Sequence, residues 1–172
     1  MNCSHPSRVA LVAVIAAVTV ACQPSGDQEP AEPHIAGGTD IDRGRYLVIV
    51  GGCNDCHTDG YMVAEGDVPE DQWLLGSALG WRGPWGTTYP PNLRLTVQRM
   101  GEDEWVEMLR TRTALPPMPW MNLNQVAETD SRALYRYISS LGAFGEPAPT
   151  ALPPGQEPST PYFVLDPVMP GQ

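Results

Sequence analysis

Three segments of the chain repeat apolar residues at the spacing of an α-helix. The first begins at Asp40, whose side chain is suited to cap a helix, and its apolar positions lie nearly all round the helix axis. We therefore predict a buried helix, with Gly44 allowing another helix to approach, that ends at the glycine pair 51–52. Its apolar positions are Ile41, Gly44, Leu47, Val48, Ile49 and Val50.

The other two predicted helices lie in the second half of the chain. Residues 102–112 begin with acidic side chains and end with arginines, which complements the helix dipole. One face of this helix holds Trp105, Met108, Leu109 and Arg112. The last helix starts at Thr129 or Asp130 and stops at Gly142. Its apolar stripe consists of Leu134, Tyr137, Ile138 and Leu141.

Glycine and proline dominate the segments between and after these helices. Residues 58–91 carry three of the five tryptophans and show neither a helical nor an alternating period, so we predict a loop. Residues 146–172 are rich in proline around one apolar island, 162–165, which either docks on the domain or belongs to a free extension. At 172 residues the chain has room for one domain with tails, and the predicted fold class is all-α with long loops.

The N-terminal residues 1–22 have the features of an export signal. Arg8 precedes a ten-residue apolar run that is too short to span a membrane. Cys22 follows Thr19-Val20-Ala21, which is similar to the acylation motif of bacterial lipoproteins, although Thr19 replaces the usual leucine and ordinary cleavage is an alternative. We then expect a tether at 23–38, a domain at 39–145 and an extension at 146–172. These features predict a periplasmic protein that meets a membrane only through a lipid on Cys22.

The charge of the chain restricts its partners. Twenty acidic residues outweigh ten basic ones, all arginine, for a net charge of −10. This excess argues against nucleic acid and against an anionic membrane surface as partners. It suits a basic protein partner.

The most specific signal is the run Cys53-Asn54-Asp55-Cys56-His57. Two thiols at this spacing can each form a thioether to a haem vinyl group, and the adjacent imidazole can reach the iron. The run therefore predicts one covalently attached haem c. The far-side assembly of such haem in bacteria agrees with export.

Other interpretations of these residues lack partners in the sequence. A thioredoxin-like motif needs a strand and a βαβ context, which the chain does not show. A zinc site needs more Cys or His ligands, and outside the extreme N-terminus only His34 remains, in a Pro/Gly-rich linker. A disulfide between Cys53 and Cys56 leaves His57 unexplained.

A second axial ligand is predicted in the run Leu115-Pro116-Pro117-Met118-Pro119-Trp120-Met121. Its prolines prevent a helix and hold Met118 on a rigid loop, and a thioether sulfur favours reduced iron. Met121 is the second choice, and Met62 lies too near His57 to reach the opposite face. In the loop 58–91, the residues predicted to bond the haem propionates are Trp81, Arg82 and Trp85.

The order of these features resembles the class I c-type cytochromes, in particular small exported bacterial monohaem cytochromes. The resemblance covers roughly residues 40–165 and is carried by residues 44–48, 53–58, 80–86 and 116–120 and by the tail 152–158. It implies a cytochrome c-like fold with Cys53 and Cys56 as thioether sites, His57 as proximal ligand and Met118 as distal ligand. It also implies that the first and last helices cross near Gly44 and Tyr137, and that a proline carbonyl accepts the His57 Nδ1–H.

Two positions depart from the family pattern, and one role in it is open. Arg45 and Ile49 stand where many class I proteins carry a glycine and an aromatic residue. Pro69 is the candidate for the proline that faces His57.

The functional hypothesis is a carrier of single electrons between a redox donor protein and an acceptor protein, with no reaction on a substrate. One alternative is a fixed electron-accepting subunit of a dehydrogenase complex. The other is a haem peroxidase or gas sensor, either of which needs an open sixth position on the iron.

Overall fold

The computed structural model describes residues 37–167 and 169–171. The predicted export signal, 1–22, lies outside these residues, as does the tether up to residue 36. The described helices are α1 (Asp40–Val50), α2 (Cys53–His57), α3 (Leu93–Val97), α4 (Glu102–Thr111), α5 (Trp120–Leu123) and α6 (Glu128–Ser140), with a 3₁₀ turn at Glu70–Gln72. The strands are β1 (Gly80–Gly83), β2 (Gly86–Thr88) and β3 (Tyr162–Val164).

The prediction of an all-α fold is wrong, because the helices are accompanied by a three-stranded mixed sheet of order β2-β1-β3. Strands β1 and β2 form an antiparallel hairpin in which Trp81 lies opposite Thr88. Strand β3 pairs in parallel with the other edge of β1 and places Phe163 beside Trp81. Strands of three or four residues are too short to show an alternating period, and the third comes from a distant part of the chain.

The Pro-rich extension packs on this sheet, which decides between the two outcomes left open for its apolar island. Leu152 and Thr87 exchange two main-chain hydrogen bonds, of 2.9 and 2.8 Å. Further along, Gly80 N–H donates to Pro161 O over 2.8 Å, and Leu165 N–H donates to the carbonyl of Arg82 over 2.7 Å. The segment from Leu152 to Leu165 therefore lies along the sheet; we call it the strap.

Helix α1 starts and ends close to the predicted positions, with two differences. The cap is Thr39, whose hydroxyl accepts from Asp42 N–H over 3.1 Å while the Asp42 carboxylate accepts from Thr39 N–H. Only the face with Gly44 and Val48 is buried. The expectation of a helix buried all round is wrong, since apolar side chains on its other faces are exposed: Ile41, Ile49 and Val50.

Helices α1 and α6 cross at Gly44, as the family resemblance implies. A Cβ atom on Gly44 would lie 2.1 Å from Ala133 O and 2.6 Å from Tyr137 Cβ. Two helix backbones meet this closely only where one of them lacks a side chain. The crossing brings both helices onto the hydrophobic core, whose buried members are Val48, Trp73, Leu74, Val97, Trp105, Leu109, Leu134, Tyr137 and Ile138.

Ion pairs at the surface also join α6 to the first residues of α1 and α4. Arg136 of α6 pairs with Asp40 of α1 and with Glu102 of α4, and Arg132 also reaches Glu102. Networks of this kind hold packed helices in register more effectively than single exposed pairs. None of the described helices has the length and apolar content needed to cross a membrane.

Candidate functional site

The motif Cys53–His57 forms the short helix α2. The residue before it, Gly52, has a left-handed backbone conformation. Residues at positions i, i+3 and i+4 of a helix share one face, so Cys53, Cys56 and His57 point to the same side. Both cysteines are free thiols. The structure therefore presents two sulfur atoms and an imidazole together, and it does not contain the alternative Cys53–Cys56 disulfide.

The His57 ring is buried, with 5 % of the residue exposed, and is fixed by one hydrogen bond. Its Nδ1 atom lies 2.8 Å from Pro91 O. A carbonyl oxygen can only accept, so Nδ1 carries the proton and Nε2 keeps its lone pair. Burial lowers the pKa of His57, which keeps the imidazole neutral. This is the protonation state in which a histidine binds a metal.

The residue that fixes the ring is Pro91, and the expectation of Pro69 is wrong. Pro69 lies at the start of the 3₁₀ turn, where its carbonyl accepts from Gln72 N–H over 2.9 Å. Pro91 belongs to the Pro-Pro pair 90–91 directly before the Asn92 cap of α3. That pairing of two prolines with a capping residue is the signal in the sequence that could have identified the carbonyl.

Gly76 brings the Pro91 segment up to the histidine. Its N–H donates to His57 O over 2.7 Å, and its φ of +79° is a left-handed value that favours glycine. A Cβ atom here would lie 2.7 Å from Asn92 N and 2.8 Å from Pro90 O. The loop 58–91 therefore has a defined path, and one of its glycines sets the spacing between His57 and Pro91.

Both thiols are held in the protonated form. Burial raises the pKa of Cys53 from 9.0 to about 11, despite an opposing backbone hydrogen bond. Burial also raises the pKa of Cys56, and the nearby Asp55 carboxylate adds to the increase. The cysteines are thus poor thiolate nucleophiles and poor zinc ligands at neutral pH.

Met118 lies on the loop between α4 and α5, where it is half-buried. It lines a cavity of about 310 Å³ within that loop, whereas Met121, which also lines it, is 70 % exposed. The Thr88 hydroxyl donates to Pro116 O over 2.7 Å and ties the methionine loop to β2. Since Thr88 faces Trp81 across the hairpin, the sheet links the Met118 loop to the side of the molecule that holds Cys56.

The three residues predicted to reach the propionates have different surroundings. Trp81 packs on Phe163, with ring centroids 5.1 Å apart, and lines a cavity of about 380 Å³ beside Cys56. The guanidinium of Arg82 is occupied by the strap, where it pairs with Glu157 and donates to Tyr162 Oη over 3.1 Å. Trp85 differs from both, because its Nε1–H is enclosed and has no acceptor in the described part of the chain.

One further polar group supports the motif helix. Asn54, 1 % exposed, accepts a 2.8 Å hydrogen bond from the Thr58 hydroxyl, which itself accepts from Leu74 N–H over 2.8 Å. These bonds connect α2 to the loop that follows it.

Comparisons of the chain with protein-family models, with curated proteins and with solved structures found no match.

Proposed function

We propose that this chain is an exported electron-transfer protein that holds one haem c through Cys53 and Cys56. His57 is the proximal ligand of the iron and Met118 the distal one. The observation that carries the proposal is the contact of His57 Nδ1 with Pro91 O. His57 lies on the same short helix, α2, as two free thiols. The contact with Pro91 O leaves Nε2 as the single coordinating atom of a buried, neutral ring.

Two features of the described residues support a tetrapyrrole with carboxylate side chains. Trp85, in the turn between β1 and β2, offers an enclosed N–H donor that has no acceptor within the described residues, and an unsatisfied buried donor is costly unless a bound group completes it. The partly buried, protonated thiols suit addition to vinyl groups better than metal binding as thiolates. When bound, haem c supplies an iron that alternates between the ferric and ferrous states by one electron.

The role of the chain is then to bind the haem, to orient its ligands and to exclude a substrate from the iron. Cys53 and Cys56 hold the group covalently, while Pro91 fixes the orientation of the His57 ring. Met118 supplies a soft sulfur on a loop that prolines hold rigid. If His57 and Met118 both bound the iron, no coordination site would be left for a substrate, so the proposed protein is a carrier and not an enzyme.

The proposed location is the periplasm, with Cys22 as the candidate lipid anchor. Support for this part comes from the sequence, since residues 1–22 lie outside the described region. Mass spectrometry of the N-terminal peptide of the exported protein tests it. A diacylglyceryl group on Cys22 supports the anchor, and an unmodified N-terminus supports ordinary cleavage.

Optical spectra of the exported protein test the function. We expect a pyridine haemochrome spectrum of the c type, and a weak far-red band in the oxidised form. That band should disappear in Met118→Ala and persist in Met121→Ala, the matched control three positions away. Carbon monoxide should leave the reduced spectrum unchanged, because the sixth position is filled.

Two results would contradict the proposal. A protein purified from a strain competent in haem attachment but without any haem spectrum removes the cofactor. A high-spin spectrum that shifts with carbon monoxide keeps the haem but opens the sixth position, and it favours catalysis or gas sensing instead.

A further inference from the structure

The loop that carries Met118 has little burial of its own. Residues 112–117 are all exposed, as is Pro119, and Met118 is half-buried. Among the described residues, the hydrophobic core and the side chains packed against it include none from 112–119. Prolines restrict the internal conformations of this loop, but they do not fix it relative to the helices on either side. Its position therefore depends on the contacts at its two ends and at its tip.

Asn124 joins the two ends of this loop. It is the half-buried residue directly after α5, and its Nδ2 donates to Leu109 O over 2.7 Å and to Arg112 O over 3.2 Å. Leu109 O is one of the last carbonyls of α4, which lack partners within a helix, and Arg112 is the residue that caps α4. Because both acceptors are carbonyls, the amide must present its NH₂ group here. The chain after the loop is thus fastened to the helix before it.

Two other contacts hold the same loop. The guanidinium of Arg112, the last residue before the loop, lies 4.9 Å from the ring centroid of Trp120, the first residue after it. Trp120 itself packs against the hydrophobic core. At the tip, the Thr88 hydroxyl donates to Pro116 O over 2.7 Å. The loop 113–119 is therefore closed at its base by Asn124 and by the Arg112–Trp120 contact, and is tied at its tip to β2.

We propose that Asn124 is a positioning residue for Met118, and that its two hydrogen bonds set how often the methionine sulfur leaves the iron. The inference rests on the proposed function, because it requires Met118 as the distal ligand. Asn124 and Met118 both line the cavity of about 310 Å³ in the loop, so the loop has room to shift once its base is released. Asn124 acts through the carbonyls of α4 and not on the iron.

Imidazole binding to the oxidised holoprotein measures this opening. One iron–sulfur bond breaks, one iron–nitrogen bond forms, and no electron is transferred. At saturating imidazole the observed rate equals the rate at which the Met118 sulfur leaves, and loss of the far-red band follows it in a stopped-flow instrument. Asn124→Asp keeps the shape of the side chain but loses both donors. We expect it to raise the limiting rate about tenfold.

Matched variants separate the hydrogen bonds from the added charge. Asn122→Asp gains the same charge at an exposed position of α5, and it should bind imidazole at the wild-type rate. Asn124→Ala removes the donors without adding a charge near the C-terminal end of α4, and it should also raise the rate about tenfold. Thr88→Val releases the tip of the loop and should raise the rate about threefold, because it removes one hydrogen bond to the loop.

Amide hydrogen exchange gives a second readout that does not involve ligand binding to the iron. Trp120 N–H donates to Met118 O over 2.9 Å, so its exchange reports the opening of the loop directly. Both Asn124 variants should lower the protection of this amide about tenfold in the reduced protein. Protection of the Tyr137 amide, within the buried part of α6, should stay as in the wild type.

The outcomes separate this inference from the proposed function. If the Asn124 variants keep the far-red band and bind imidazole as slowly as Asn122→Asp, the inference is wrong although the proposed function stands. A lowered thermal midpoint with unchanged imidazole rate and unchanged Trp120 protection makes Asn124 a cap of α4 only, and also overturns the inference. A wild-type holoprotein without the far-red band refutes ligation by Met118, and the inference fails with it.

Discussion

The close crossing of α1 and α6 makes Gly44→Ala the substitution with the most direct structural consequence. The added Cβ would meet Ala133 O at 2.1 Å, a backbone atom that cannot rotate away. Ordinary C···O contacts begin near 3.3 Å, so the two helices must separate by about 1.2 Å at the crossing.

The expected magnitude follows from this displacement. A gap of 0.5–1 Å already forfeits roughly a quarter to a half of the dispersion energy of the atoms that face it. Overpacking a core typically costs about 1–3 kcal/mol, and the rigid backbone contact places Gly44→Ala at the top of that range. Alanine regains about 1 kcal/mol of helix propensity, which leaves a net loss of about 2 kcal/mol. For a domain of this size the thermal midpoint should fall by roughly 10 °C.

Thermal unfolding followed by far-ultraviolet circular dichroism measures the effect. Gly101→Ala is the matched control, because Gly101 has a negative φ of −77° and a Cβ there comes no closer than 4.0 Å to its surroundings. As an N-cap change from glycine to the less favoured alanine, the control should cost about 0.5–1 kcal/mol, still clearly less than the loss expected for Gly44→Ala.

Equal midpoints for Gly44→Ala and Gly101→Ala would refute the reasoning. Equal midpoints would mean that α1 and α6 lie further apart than the 2.1 Å between the added Cβ and Ala133 O implies, or that the helices shift past each other without loss of stability. A crystal structure of Gly44→Ala should instead show α6 displaced at Ala133.

Three further predictions test other parts of the structure. If the proposed haem is bound and Trp85 Nε1–H donates to a propionate, Trp85→Phe should lower the reduction potential in voltammetry relative to Trp81→Phe, because the propionate charge is then less compensated and favours ferric iron. An unchanged potential would place Trp85 away from the propionates. The pKa of Glu102 is lowered by its hydrogen bonds to Arg136 and Arg132. The ionised carboxylate therefore stabilises the fold fully above pH 4.5, its ordinary pKa, and this stabilisation is lost as the pH falls through the lowered pKa. Glu102→Gln should therefore lower the midpoint by roughly 3 °C at pH 7 and by progressively less under acid, and a gap independent of pH would contradict the ion pair. Ending the chain after residue 150 removes the four strap hydrogen bonds named above, each worth about 1 kcal/mol. Denaturant titration should therefore show the free energy of unfolding reduced by about 4 kcal/mol, and an unchanged midpoint would mean that the strap adds no stability.

The three long helices, α1, α4 and α6, were predictable because their signals are local, whereas the short helices α2, α3 and α5, of four or five residues each, were not predicted. Acidic residues at the start of α4 and a glycine after α6 mark boundaries that the structure reproduces within one or two residues. The buried face with Trp105 and Leu109 follows from the 3.6-residue period alone. The motif helix carries its chemistry in five consecutive residues, so its side chains needed no knowledge of the fold to be placed together.

The sheet and the Pro91 contact were not predictable by the same means, since each depends on residues far apart in the chain. Strand β3 has three residues and pairs with residues 82 positions earlier in the chain, such as Gly80 with Tyr162, a distance at which periodicity contains no information. His57 meets Pro91 only because Gly76 lets two segments approach within van der Waals contact. Pro69 is nearer in sequence and was the wrong choice for that reason.

The parallel pairing of β3 with β1 also sets an order in time. Tyr162 lies 80 positions after Arg82, and ribosomes add roughly 5–20 residues per second, so the last strand follows the first by roughly 4–16 s. During that interval Phe163 and Pro161 are missing from the wall beside Cys56. The Cys56 thiol is therefore more accessible before the strap docks on β1 than afterwards, and under the proposed function we expect haem attachment to precede that docking.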